Sequence, residues 1–172
     1  TPEKLRNLGQ RYTARFRQWI YLSGKIPDGL SPTDDFYLID QKRARLGFPA
    51  TLDAIRVMSK KYPQARTKLI EDKANGPAVA AMLQREMVGI VTINPEGGKV
   101  ARANAVAPVF ESGNVILPSA SWVDLYREEL CTFPVGVHDD QVDATTQALN
   151  YMLSKSSRFA EAMRNAKKSM LV

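Results

Sequence analysis

Apolar residues recur along this chain at spacings that alternate between those of helices and those of strands. Leu5, Leu8, Tyr12, Phe16, Trp19 and Ile20 form a stripe that predicts a helix over residues 3–22, stopped by Gly24 and Pro27. Ile26 to Thr33, rich in Gly, Pro, Ser and Asp, reads as a boundary loop. Residues 1–33 are therefore expected to be a basic N-terminal helix and linker, and residues 34–172 the main domain. In Phe36 to Arg45, aromatic and β-branched residues suit a strand. Ala50 to Lys61 is an amphipathic helix ended by Pro63. Lys68, Leu69 and Ile70 make a short buried strand that runs into Glu71 and Asp72. Pro77 sits where proline is tolerated, at the start of a helix through Leu83. A strand over Val88 to Ile93, a turn at Pro95–Gly98 and a helix over Val100 to Phe110 follow. Asn114 to Leu117 is a strand and Ser121 to Cys131 a helix. Residues 139–153 form the next helix, and residues 156–170 a last, basic one. This alternation predicts an α/β fold, a mixed and mostly parallel central sheet flanked by helices.

The composition changes this picture in three ways. At 172 residues, 44% hydrophobic and 24% charged, the chain can bury a real core. No apolar run approaches the roughly 20 residues that span a bilayer, so no membrane is expected as a partner. The first residues have no signal-peptide character and no initial Met, which fits a piece of a longer polypeptide. The single cysteine, Cys131, excludes an internal disulfide and a Cys-based zinc site. It is expected to pack as a small apolar residue near a helix end, in a reducing cytoplasmic compartment.

The net charge of +6 gathers at the ends. Residues 1–27 carry Lys4, Arg6, Arg11, Arg15, Arg17 and Lys25 against Glu3. Residues 155–172 carry Lys155, Arg158, Arg164, Lys167 and Lys168 against Glu161. Such ends suit a polyanion such as DNA, with salt-sensitive affinity, and suit a solvated helical face equally.

The candidate chemistry lies in His138-Asp139-Asp140-Gln141-Val142-Asp143-Ala144. These acids fall in a helix's first turn, where the dipole and the free N–H groups favour negative charge. Asp140 and Asp143, three apart, share a face, as do Asp139 and Asp143, four apart. Two carboxylates aimed at one point repel unless a cation lies between them, and hard cations such as Mg²⁺ take oxygen ligands of this kind. An N-capping Asp beside solvated acids accounts for the same residues. Glu71 ends a buried strand, at the sheet edge where ligands collect in α/β folds. Asn75-Gly76 then lets the chain turn away. Together these acids offer oxygen ligands for one or two Mg²⁺ or Mn²⁺ ions, which could activate water for phosphodiester cleavage. His138 reads as a helix-flanking residue, or as one that orients water or phosphate. Lys99 and Arg102, three apart on one helical face, read as phosphate contacts or as a solvated helix start.

Four segments in order carry a resemblance. They are Leu69 to Gly76, Gly97 to Ala103, Val115 to Pro118, and Phe133-Pro134 with His138 to Ala144. From about Phe36 to Met152 the chain resembles the C-terminal nuclease domain of the large terminase subunit of tailed bacteriophages and prophages. The resemblance implies an RNase H-like fold and a metal-dependent endonuclease that cuts concatemeric double-stranded DNA during packaging. It implies Glu71, Asp139, Asp140 and Asp143 as catalytic residues, with Glu71, Asp140 and Asp143 binding two Mg²⁺ or Mn²⁺ ions. It implies Lys99 and Arg102 as DNA contacts. The implied partners are double-stranded DNA, an ATPase motor domain of the same polypeptide, the portal and the small terminase subunit, in the cytoplasm of a bacterial host. No G-x-x-x-x-G-K-[ST] segment occurs, so the chain alone is not expected to hydrolyse ATP. One departure stands out. The family's first acid lies on a strand upstream of Phe36, where this chain reads as a basic helix and loop. Asp40 is the candidate substitute. A non-cleaving DNA-binding or assembly module, and another RNase H-like enzyme such as a resolvase or transposase, are the competing readings.

Overall fold

Strands and helices alternate in the computed structural model, which describes the backbone of residues 16–24 and 35–169 and the side chains of residues 35–155. In chain order the strands are β1 (Phe16–Gly24), β2 (Phe36–Leu46), β3 (Lys68–Glu71), β4 (Ile90–Ile93) and β5 (Val115–Ile116). The helices are α1 (Phe48–Lys61), α2 (Gly76–Leu83), α3 (Lys99–Glu111), α4 (Val123–Thr132) and α5 (Asp140–Ser169). The fold is α/β as expected. The described strands form two sheets, one of order β1-β2-β5 and one of order β3-β4. β2 pairs with β5, and β3 with β4, in parallel.

Three expectations are corrected. Phe16–Gly24 is a strand and not the end of a helix. Phe16, Trp19 and Ile20 fit a helical stripe, but contiguous Trp19, Ile20 and Tyr21 also suit a strand, and pairing within a sheet decides. The rest of that expected helix lies outside the described residues. The two C-terminal helices are one, because no Gly or Pro interrupts Asp140–Ser169 and Ser156-Ser157 does not break a helix. Cys131 is exposed rather than packed.

The chain divides into two compact units, one built on Gln41–Glu96 and the other on Gly97 onward with the segment that ends at Asp40. In the first, β3 pairs with β4 from Lys68↔Ile90 to Glu71↔Ile93. The Asp72 N–H donates to the Ile93 carbonyl at 2.7 Å, which carries the ladder one residue past Glu71. Leu52 and Ile55 of α1, Ile70 of β3 and Val79, Ala80 and Leu83 of α2 form the core, with Phe48, Met87 and Ile90 packed on it. Burying each of the larger side chains is worth about 1.5–3 kcal/mol.

The second unit holds Phe36, Val106 and Leu149 at its centre, with Val109, Phe110, Val115 and Met152 around them. Phe36 pairs with Val115, and Tyr37 with Ile116. α4 is fastened to α5 by Tyr126, which is wholly buried and shares a 2.9 Å hydrogen bond with the Thr145 hydroxyl. Among the described residues no helix is long and apolar enough to cross a membrane.

Candidate active site

The head of α5 carries the acids. The Asp143 N–H donates to the Asp139 carbonyl at 2.9 Å, so Asp139 is the capping residue and Asp140 the first helical one. All three carboxylates, Asp139, Asp140 and Asp143, are partly buried. The next amide, that of Gln141, is held from another helix. Its N–H donates to Glu129 Oε1 at 2.6 Å, and its Nε2 donates to Glu129 Oε2 at 2.6 Å. Glu129 is 6% exposed and Gln141 fully buried.

Two cations reach these acids from the first turn of α3. Lys99 Nζ lies 2.6 Å from Asp139 Oδ2 and 2.7 Å from Asp143 Oδ2, so one ammonium bridges two carboxylates. Arg102 Nη2 donates to Asp143 Oδ1 at 2.8 Å, and Nη1 donates to the Gly97 carbonyl at 2.9 Å. Asn150 of α5 donates to the Arg102 carbonyl at 3.3 Å and ties the two helices from the other side. The cations differ in setting. The Lys99 side chain is 46% exposed and the Arg102 side chain 11%. Lys99 stands at a helix N-terminus, where the dipole opposes positive charge. Burial pushes its ammonium down, but the hydrogen bonds it donates to Asp139 and Asp143 outweigh that and hold its pKa above the ordinary lysine value.

Glu71 closes β3 in the first unit, with Oε1 3.1 Å from Lys73 Nζ. The turn after it is tight. A side chain at Gly76 would come within 1.8 Å of the Glu71 carbonyl oxygen, so only glycine fits there. Ala74 takes a positive φ of 51°, the left-handed region that costs a non-glycine residue energy. Strain of this kind gathers where function holds a backbone in place.

The structure brings Asp139, Asp143, Lys99 and Arg102 into one ion-paired network, and Asp140 opens the same helix. Lys99 and Arg102, expected to face DNA, are turned toward these acids. Glu71 is placed at its strand end as expected. Asp40 lies inside β2, which continues to Leu46, and not at a strand end. β1, the strand before it, has no carboxylate in its sequence Phe-Arg-Gln-Trp-Ile-Tyr-Leu-Ser-Gly. His138 is exposed. Among the described residues, no group of three or more His, Cys, Asp or Glu side chains is arranged to hold a metal. Glu129 and Gln141 were not legible as site residues. The available signal was a carboxylate three residues after Tyr126, on what becomes the buried face of α4.

The fold is that of an α/β protein, with Glu71 at a strand end in one unit and Asp139, Asp140 and Asp143 at a helix head in the other. Residues 30–152 match the terminase RNaseH-like domain. The chain belongs to that family, and is a nuclease-type module in the setting of DNA packaging. No curated protein and no solved structure matches it.

Proposed function

We propose that this chain is the metal-dependent endonuclease domain of a viral DNA-packaging terminase and cuts concatemeric double-stranded DNA. The observation that supports this most is the Lys99 ammonium lying 2.6 and 2.7 Å from two carboxylates at the head of α5. The pair Asp139 and Asp143 demands positive charge at one point, and a hard divalent cation meets the same demand. The donor chemistry fits such an ion. Glu71, Asp140 and Asp143, the residues proposed to hold it, offer carboxylate oxygens, and the chain's one histidine, His138, is exposed.

Bound Mg²⁺ or Mn²⁺ would supply an activated water and stabilise the leaving oxygen of the phosphodiester. The chain's own groups have separable parts. Arg102, nearly buried, holds Asp143 through a fixed planar fork. Lys99 is a flexible point charge at the surface, able to pass from Asp139 and Asp143 to a DNA phosphate. Such contacts position the duplex without reading its bases. The wider setting proposed is a bacterial host's cytoplasm, with a motor domain of the same polypeptide, the portal and the small terminase subunit as partners.

Supercoiled plasmid tests this reading. Nicking or linearisation is expected with Mg²⁺ or Mn²⁺ and silence in EDTA. Cleavage that persists in the chelator overturns metal dependence. A second reading, a non-cleaving DNA-binding module, is favoured by the lack of a carboxylate in β1. DNA that is bound but left uncut with both metals would support it. The family match is to terminases, which sets the resolvase and transposase readings aside.

A further inference from the structure

Every helix begins with amide N–H groups that have no partner within the helix, and the capping residue's side chain commonly takes the second or third of them. At the head of α5 the capping residue is Asp139, and its carboxylate would ordinarily accept from Gln141 or Val142. Here the Gln141 N–H is taken by Glu129, from α4 and twelve residues upstream. Asp139 Oδ2 points to Lys99 instead, 2.6 Å away. The helix is thus capped from outside, and its own acid is released toward the cation position.

We infer that Glu129 is a positioning residue that sets the Asp139–Asp143 turn for a divalent cation. This rests on the metal reading above. Burying a carboxylate is costly unless it is strongly hydrogen-bonded, and Glu129 is 6% exposed. Both of its oxygens are engaged by Gln141, each at 2.6 Å, which is short even for a charge-assisted bond. Gln141 accepts a cost for this, because its own Oε1 is buried with no partner. On the same face of α4, Tyr126 holds Thr145, one turn further along α5. Two anchor points one turn apart fix the rotation of α5, and with it the direction in which Asp139, Asp140 and Asp143 project. Glu129 touches neither DNA nor metal in this account. It acts through Gln141.

Glu129→Leu keeps the bulk and removes both acceptors, so the Gln141 N–H and Nε2 lose their partner. Glu129→Gln removes the charge but keeps both bonds: its amide oxygen accepts from the Gln141 N–H, and its NH₂ donates to Gln141 Oε1 once that amide turns over. Mn²⁺ affinity measured by titration calorimetry on the full chain, beside the melting temperature, tests the inference. Glu129→Leu is expected to remain folded and to bind Mn²⁺ about 10–100-fold more weakly, as loss of an outer-shell partner typically does. Glu129→Gln is expected to bind with close to the parent's affinity. A folded Glu129→Leu that binds Mn²⁺ as tightly as the parent overturns the inference, as does a Glu129→Gln as weak as Glu129→Leu. If Glu129→Leu does not fold, Gln141→Met, which removes the Nε2–Oε2 bond alone, decides in its place: weaker binding supports the inference and unchanged binding overturns it. Should the parent itself bind no Mn²⁺, the metal reading fails and this inference with it, a result distinct from a loss confined to the variants.

Discussion

Lys99 and Arg102 sit one helical turn apart and hold the same aspartate, yet they should differ as stabilisers. The Lys99 pairs are partly exposed, so screening keeps them weak. Lys99→Met is expected to cost about 0.2–1 kcal/mol at low salt and less at high salt. Arg102 is 11% exposed and fills hydrogen bonds to Asp143 and the Gly97 carbonyl. Its removal leaves Asp143 Oδ1 and the Gly97 carbonyl without their donor, so Arg102→Met is expected to cost more, about 1–3 kcal/mol, with little salt dependence. Urea midpoints at two salt concentrations check both. If Lys99→Met proves the costlier change, the division of roles between the two cations is wrong. Neither pairing was legible in the chain. Lys99 lies forty residues from Asp139, and helical spacing placed Lys99 and Arg102 on one face without saying what that face meets.

At the scale of elements, α4 and α5 are joined by a group that titrates. Burial pushes the Tyr126 phenol up to about 12, against a hydrogen bond from Thr145 that pulls the other way. An acid with its folded pKa raised above the unfolded value of 10 keeps its proton longer in the fold. Its stabilising share is whole below pH 10 and is lost as pH rises from 10 through 12. One of the six tyrosines should therefore ionise late, together with loss of helical circular dichroism. Tyrosinate absorbance measured beside circular dichroism tests this. All six titrating near 10 with the fold intact would contradict it. The elements themselves were largely legible. α1, α2 and α3 followed from apolar spacing with Pro49, Pro77 and Gly98 near their starts. β1 did not, because Phe16, Trp19 and Ile20 satisfy a helical period as well as a strand, and only pairing resolves that. The cap from Glu129 was hidden for the same reason, since a contact between two helices leaves no local period.

For the whole molecule, the acids at the head of α5 and Glu71 at the end of β3 were visible in the chain because a first turn and a strand end are local features. Their ion pairs were not. The family assignment gives the molecule its setting, and the proposed metal gives it a testable chemistry. A ligand that binds only the native state raises its melting temperature by mass action. The most direct measurement is therefore the melting temperature of the parent and of Asp140→Ala with and without saturating Mg²⁺. The parent is expected to rise with Mg²⁺ while Asp140→Ala remains folded and unmoved by the ion. A parent that does not respond, or an Asp140→Ala that rises equally, would contradict the assignment of these carboxylates to a divalent cation.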